Sequence, residues 1–600
     1  MSERTFAHDE QLPRVPLPTL EESCTRFLHW CAPLLTSAEY ADTAATVADL
    51  LRPDSPARTL HADLQRFDAE PGVGSWLDEF WPSRYLGRRD RIALNANFFF
   101  LFRDDTVLAA STTADQAERA AAIVTAAVDY KLRLDKEEIP PVTQRGQRLN
   151  MAQNKFLFSE TRIPGDPQDT VRVPYSAEWP GPSQARHIVV FYRGNMFRMD
   201  AIGPNGVPHT HEDLTDGLRS VMKAGARRAA TSSSPGHLTT LARVDWAPVY
   251  AELRATNAAA LDTIETALFC ICLEDFAPRD TLHACDQLLH GDSGNRWFDK
   301  AVSFIVFADG RAGINVEHCG LDGTTILSFV DVLLESPVAE HAAQSGAQPQ
   351  GLPATEPIEF TLDAEQKSTV ASAAASFAQY AAENATSAVS FDFGTGRIKK
   401  LGISPDAFAQ LSYQLAHKRS KGLTGATYES IATRQYRNGR TEAMRVVTPE
   451  ILDFVAVMAD PEADADRKRA AVQAAAAAHV QRAQECQRGE APEQHLWELQ
   501  LIQRRRGAQL HADGPMAFYD SPGWRIARDD YLSTSSAPSV NIEYFGFGST
   551  SQRCIGVAYV LLPDRWNLYL ATPKSVAEQM HGFAEQLRGA VAELAELLAV

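Results

Sequence analysis

Ala301-Val-Ser-Phe-Ile-Val-Phe-Ala308 is apolar at nearly every position and closes on Asp309-Gly310. A short apolar run bounded by a turn pair reads as a strand buried on both faces. A second short run, Ala312 to Val316, follows the turn and ends on Glu317-His-Cys-Gly-Leu-Asp-Gly323. His318 therefore stands just past a buried strand, with the acid Asp322 four residues on. Burial and a nearby carboxylate can hold an imidazole pKa near neutrality, which suits removing a proton from an alcohol. The segment alone leaves two readings open, a general base or a core histidine with a satisfied hydrogen bond.

Working outward, strand-like runs (His187 to Tyr192, Ala301 to Ala308) alternate with helical ones (Asp213 to Ala224, Tyr250 to Cys270). Two stretches rich in Pro, Gly and Ser interrupt them, Gly165 to Ser183 and Gln344 to Pro353, and the second is the better place for a domain crossing. Beyond it, long helices are expected over Ala364 to Asn384, Pro405 to Lys418 and Asp466 to Arg488. Strands follow at Val540 to Phe545, Ile555 to Leu562 and Trp566 to Ala571, then a last helix from Ser575 to Leu598. The fold class is α/β with mixed sheets flanked by helices.

The chain has 600 residues, 44% of them hydrophobic, enough for large cores and more than one lobe. A formal net charge of -18 argues against a general nucleic-acid or anionic-membrane binder, so any phosphate must be met by a local basic spot. The eight cysteines form no CxxC pair, and Cys270 and Cys272 fall inside an apolar run, as reduced core residues do. No apolar signal core opens the sequence, no run of about 18 uninterrupted apolar residues occurs, and Leu-Leu-Ala-Val at the end is not a peroxisomal address. A soluble cytoplasmic protein is the expectation.

Several further strings stand in a telling order: Leu12-Pro-Arg-Val-Pro-Leu-Pro18, Trp76-Leu-Asp78, Arg162-Ile-Pro-Gly165, Asn295-Arg-Trp-Phe-Asp-Lys300, Ala426-Thr-Tyr-Glu-Ser430, Gly439-Arg-Thr441 and Leu532-Ser-Thr-Ser535. With the His318 segment they resemble the landmarks of the choline/carnitine O-acyltransferase family, from about Leu12 to the C-terminal helix. The resemblance implies two lobes like chloramphenicol acetyltransferase with an active-site tunnel between them. Residues 99–360 would form the lobe carrying the histidine. Residues 1–98 and 361–600 would form the coenzyme A- and alcohol-binding lobe, with the N-terminal helices packed on it. It implies direct acyl transfer between coenzyme A, a cosubstrate, and a small alcohol, with no permanently bound cofactor, no metal, no nucleic-acid or membrane partner, and a monomer.

By the same resemblance His318 is the general base, and Asp322 orients it and is tied to Arg440. Ser535 is the oxyanion donor and Ser533 a substrate contact, although hydroxyl clusters of this kind are also common turn caps. Arg397-Ile-Lys-Lys400 is a basic cluster suited to the phosphates of coenzyme A, or else a solvated loop. Lys399 matches one of two family lysines there, while Thr395 stands at the other, so Arg397 or Lys400 is the candidate substitute; Asp406 matches a position near the nucleotide. Tyr428, Ser430 and Thr441 match positions that hold the carboxylate of carnitine. The arginine that completes that site is replaced by Gln494, which removes a charge-assisted partner and makes choline, or another alcohol lacking a carboxylate, a contender. Glu543 falls where side-chain size limits acyl length, and a filled pocket favours a short acyl group. A shorter preceding loop leaves open that its side chain points elsewhere. A family member acylating a different hydroxyl compound, or a silent acyl-coenzyme A-binding protein, are the alternatives.

Three other signals are set aside. Gly291-Asp-Ser-Gly294 resembles a serine-protease nucleophile motif without its last glycine. His209 and His211 flank Thr210, which with Asp213 forms a helix capping box and lacks further metal ligands nearby. Arg504-Arg-Arg506 reads as a solvated helix face.

Overall fold

The computed structural model describes residues 3–144, 146–228 and 233–599. The apolar run around Phe304 forms the strand Val302–Val306, and the next forms Ala312–Val316; the two pair antiparallel with all ten residues buried. Gly310 turns the chain between them at φ +85°, and a Cβ there would lie 2.8 Å from the Ala114 carbonyl oxygen. This hairpin is the centre of an eight-stranded mixed sheet. Its order is Thr355–Pro357, Asn195–Asp200, His187–Tyr192, Cys270–Leu273, Val302–Val306, Ala312–Val316, Phe98–Phe102 and Ile542–Phe547.

The expected helix over Tyr250 to Cys270 needs correction. The helix spans Arg243–Thr266, and Cys270–Leu273 is a strand buried at every residue and parallel to both neighbours. Ala267 leaves the helix in an extended conformation, and Cys-Ile-Cys-Leu has the apolar continuity that a central parallel strand needs.

The chain divides into two compact units. One comprises Met1–His8, Arg84–Ala388 and Ala537–Gly548, and the other Asp9–Ser83, Val389–Ser536 and Ser549–Val600. The boundaries differ from the expected 99 and 360. Gln344 to Pro353 is no crossing, because Gln348 and Gln350 are held within the first unit by Pro208, Val207 and Asp213. The chain crosses instead inside the strand Asn384–Phe391. The first unit also takes in Ile542–Phe547, which pairs with Phe98–Phe102.

The second unit carries a six-stranded sheet in the order Asn384–Phe391, Trp566–Pro573, Ile555–Leu561, Leu532–Ser536, Thr427–Ala432 and Thr441–Arg445. The helices Pro405–Lys421, Ala465–Gln487 and Ala577–Leu598 belong to this unit, close to the expected spans. The N-terminal helix Leu20–Cys31 belongs here too, and its Trp30 clusters with Met444, Cys486 and Ala491.

A buried ionic network braces the first unit. Asp169 accepts from both Arg162 and Arg243 at 2.7 Å, and Asp299 accepts from Arg243 at 2.6 Å and from the Trp246 indole at 2.7 Å. All these side chains are essentially sealed from water, so each charge depends on its partners. Replacing Asp299 with Ala should remove one of the two carboxylates on Arg243, leave the Trp246 indole without its acceptor, and destabilise this unit by about 3–5 kcal/mol. Chemical denaturation followed by tryptophan fluorescence reads this, and an unchanged first transition would refute it.

Candidate active site and the family of the chain

In the first unit, the strand Ala312–Val316 delivers Glu317 and His318 at its end. Glu317 is buried and receives Arg162 at 3.0 Å, so the ionic network reaches the residue before the histidine. Its other oxygen accepts from the Cys319 backbone at 2.9 Å. A Cβ at Gly320 would sit 2.4 Å from a carboxylate oxygen of Glu160, so a larger residue in this turn would displace that side chain.

His318 Nδ1 lies 2.8 Å from the Leu321 carbonyl oxygen. A carbonyl only accepts, so Nδ1 carries the proton and Nε2 keeps its lone pair, the tautomer a general base requires. The ring packs between Tyr85, at 5.0 Å between centroids, and Phe98, at 5.2 Å. The Asp322 carboxylate is 3.6 Å from Nδ1, where it favours an imidazolium once a proton arrives. Asp322 stands at the N-cap of Gly323–Leu334 but does not cap with its side chain. Gln153 holds that side chain instead, donating to it at 2.6 Å and accepting from the Asp322 backbone at 2.9 Å.

Cys319, beside the histidine, is no nucleophile. Burial first, then the charges of Glu317 and Glu160, push its thiol well above the usual range.

Glu543 lies in a bulge. The register between Phe98–Phe102 and Ile542–Phe547 shifts at Leu101 and Phe102, which pair with Tyr544 and Ile542 and leave Glu543 as the extra residue. Its charge adds to burial and to Asp286 in raising the Cys285 thiol on the helix Thr281–Leu289. Phe545, two residues on, packs instead against Phe98 and Phe100. A bulge that interrupts the alternation is invisible to counting along the sequence.

In the second unit, the sheet register gathers five of the expected residues on one face. Tyr428 pairs with Ser533, and Ala432 with Thr441. Opposed residues share a face, as do residues two apart, so Tyr428, Ser430, Thr441, Ser533 and Ser535 all point one way. Ser533 and Ser535 belong to the strand Leu532–Ser536 rather than to a turn. Arg440 precedes Thr441–Arg445 with its guanidinium 4.9 Å over the Trp81 ring.

Arg445 shares the face, because it pairs with Tyr428, and it was not anticipated. Glu493 and Asp530 each approach it at 2.6 Å, and they hold its pKa above the usual value despite burial. Gln494, in the first turn of Glu493–Arg506, is 1% exposed and donates from Nε2 to the Thr441 carbonyl oxygen at 2.7 Å.

The basic cluster is a short helix, Thr395–Lys400, not a loop, with Arg397, Lys399 and Lys400 exposed. Arg397 stacks 5.1 Å over Phe393, which leaves the two lysines as the more available cations. Beside them opens a groove of 580 Å³, lined by Leu401–Ser404, by Gln473, Val480 and Gln484 of the helix Ala465–Gln487, and by Leu598. The N-terminus of Pro405–Lys421, capped by Ser404, faces this groove, and two lysines with a helix N-terminus suit an anion.

Asp406 enters a cluster on the opposite face of the sheet. Its carboxylate meets His479 at 2.9 Å and the Tyr559 hydroxyl at 2.7 Å, with Glu429 alongside. Against the cost of burial, His479 and Tyr559 hold Asp406 ionised, while burial and the Asp406 charge push Glu429 well above the carboxylate range. Ligand atoms of Asp406, Glu429 and His479 lie within 4.8 Å of one another, but one proton shared in this acid pair accounts for their approach. At the capping box formed by Thr210 and Asp213, His211 meets the Glu118 carbonyl oxygen at 3.0 Å, and His209 Nδ1 lies 3.7 Å from the Asp213 carboxylate.

A histidine with a fixed tautomer thus stands on one unit, and a hydroxyl-bearing sheet face and a short basic helix stand on the other. A family model described as choline/carnitine O-acyltransferase matches residues 15–589. The chain belongs to this family. It is 29% identical to human carnitine O-acetyltransferase, covering 96% of this chain and 92% of that protein. It is 29% identical to the pigeon (Columba livia) carnitine O-acetyltransferase over 95% and 90%. Mouse mitochondrial carnitine O-palmitoyltransferase 2 is 27% identical over 93% and 88%. The chain is thus an acyltransferase of a family that uses acyl-coenzyme A and coenzyme A as cosubstrates.

One pH dependence follows from Asp530, which precedes the Ser533 strand. Burial pushes its carboxyl up to about 7 from an ordinary 3.8, against the pull of Arg445. A raised acid contributes stability that is full below its unfolded pKa and is lost as pH rises through the folded one. Between about pH 4 and pH 7 the melting temperature of the wild type should therefore fall relative to Asp530→Asn. Parallel melting curves for the two proteins would contradict this.

Proposed function

We propose that this chain moves a short acyl group between coenzyme A and the hydroxyl of a small alcohol, with His318 as general base. The observation that supports this most is the hydrogen bond from Nδ1 to the Leu321 carbonyl, which leaves Nε2 to take the hydroxyl proton. The alkoxide oxygen attacks the thioester carbonyl, the C–O bond forms, and the oxyanion receives the proposed hydrogen bond of Ser535. On collapse the C–S bond breaks, and Nε2 returns its proton to the departing thiolate. Asp322 and Gln153 steady the ring through this cycle, and no covalent enzyme intermediate is needed.

For coenzyme A, the groove beside Lys399 and Lys400 is the proposed nucleotide site, with Thr395 contributing no charge. Among alcohols, the reading favours choline, or another compound without a carboxylate, over carnitine. Arg445 shares the face of Tyr428, Ser430 and Thr441, but its guanidinium is already matched by Glu493. A carboxylate buried there would lack an uncommitted cation, whereas an alcohol with no negative charge does not incur that cost. The relatives' names support the acyltransfer reading and, at acetyl for several of them, a short acyl group. All eight cysteines are buried thiols, in keeping with a reducing cytoplasm.

Thiol release from acetyl-coenzyme A with choline, carnitine and a panel of other alcohols tests the reading. A folded His318→Ala variant should lose about 10²–10⁴-fold in turnover, and retention of more than about a tenth would remove His318 as the base. The Lys399→Ala, Lys400→Ala double variant should raise the KM for coenzyme A about tenfold at low salt, with less effect at high salt. Dephospho-coenzyme A should be less sensitive to that change. Equal KM values across all four combinations would assign the two lysines to the solvated surface.

A further inference from the structure

In the second unit His495, on the helix Glu493–Arg506, is sealed from water, and both of its ring nitrogens are engaged. Nδ1 lies 2.7 Å from the Ser23 hydroxyl of Leu20–Cys31, and Nε2 lies 3.0 Å from Nδ1 of His61 on the helix Pro56–Asp68. Two ring nitrogens at that distance share one proton, so one imidazole donates and the other accepts. Ser23 serves either direction, because a hydroxyl can donate or accept. Three helices thus meet in one chain of hydrogen bonds that closes only while both rings are neutral. The buried Trp76 ring adds an apolar wall, standing at 79° to His495 with 5.9 Å between centroids. A second proton would set two N–H donors against each other in this dry site. Burial lowers both imidazoles, His495 to about 3, with His61 adding to the effect.

His61 has an alternative partner. Glu21 of Leu20–Cys31 is an exposed carboxylate on Arg58, and its charge already pulls against the burial of His61. The other charges around the chain are committed: Asp63 to Arg66 and Arg506, Glu498 to Arg505, and Glu493 to Arg445 and Arg528. Glu493 and Gln494 also tie the start of the His495 helix to the strand Thr441–Arg445, so Pro56–Asp68 is the element free to move. We propose that His61 is an acid-operated latch: neutral, it fastens Pro56–Asp68 to Glu493–Arg506 through His495; protonated, it leaves His495 for Glu21 and lets that helix open. A base whose pKa is depressed in the closed form contributes stability that is complete above its ordinary pKa and is lost as pH falls below it. For an imidazole released to its ordinary 6.5, going from about pH 7.5 to about pH 5.5 favours opening about tenfold. Asp530 acts in the opposite sense over this range, so a local measurement is needed rather than a melting temperature.

Hydrogen–deuterium exchange of the full chain, read by mass spectrometry and corrected for the intrinsic pH dependence of exchange, supplies it. Protection of Pro56–Asp68 should fall about tenfold between about pH 7.5 and about pH 5.5, while Pro405–Lys421 of the same unit changes by less than about twofold. His61→Asn keeps a hydrogen-bonding group near the Nδ1 position but does not titrate, so the fall should disappear. Glu21→Gln removes the carboxylate that receives the protonated ring, and should move the fall to lower pH. Equal corrected exchange of Pro56–Asp68 at the two pH values in the wild type would overturn the inference, and that measurement needs no variant. So would an equal fall in Pro405–Lys421, the mark of acid unfolding of the whole unit, or an undiminished fall in His61→Asn, which would place the titration on another group.

Discussion

The pairing of Arg162 with Asp169 and Glu317 is the constraint on which the first unit turns. Arg162 is buried to the last few per cent, so its charge is tolerable only while both carboxylates face it. Asp169 is shared with Arg243, which reaches Asp299 and through it Trp246. Glu317, at the other end, is the residue before the histidine. The network therefore fixes the backbone on which His318 sits, and an imidazole whose tautomer depends on one hydrogen bond to Leu321 needs that backbone held still. Burial first, and then the charges of Glu317 and Glu160, keep the neighbouring Cys319 thiol protonated against the pull of Arg162.

The second unit uses its sheet differently, putting unlike chemistry on its two faces. One face carries hydroxyls and a neutralised arginine. The other carries Glu429, Asp406, His479 and Tyr559, which share charge and protons among themselves. Alternation along Thr427–Ala432 separates them: Tyr428 and Ser430 point one way and Glu429 the other. Thr534 bridges the backbone instead, donating to the Tyr428 carbonyl and accepting from Gln410, which keeps Leu532–Ser536 in register with its neighbour. A one-residue slip would exchange the two faces, so the register is itself part of the chemistry.

Much of this was legible in the sequence because it is local. The apolar run at Phe304, the turn at Asp309-Gly310 and the long helices of the second half emerged within a few residues of their expected ends, since strand continuity and helix caps are written in neighbouring residues. The ordered landmarks located His318, the Ser533–Ser535 strand and the Tyr428 face. What stayed hidden is non-local or depends on register. Gln153 holds Asp322 from 169 positions away, with nothing in its own neighbourhood to mark it. Arg445 and Glu493 read as ordinary charges until the strand pairing and the helix start place them together. Glu543 sits in a bulge, which breaks the alternation that counting assumes. The strand Cys270–Leu273 was absorbed into a helix because a short apolar run does not declare its period.

These two kinds of residue answer different questions about the enzyme. Local reading located the histidine at its strand end and the hydroxyl strand, because both are written in neighbouring residues. Gln494 on Thr441 and Arg445 between two acids needed the structure, and they set the charge pattern of one face of the second unit's sheet. Glu493 and Asp530 both face Arg445, so its replacement would remove a partner from each, whereas Gln494, on the helix Glu493–Arg506, reaches the sheet through one bond to the Thr441 carbonyl.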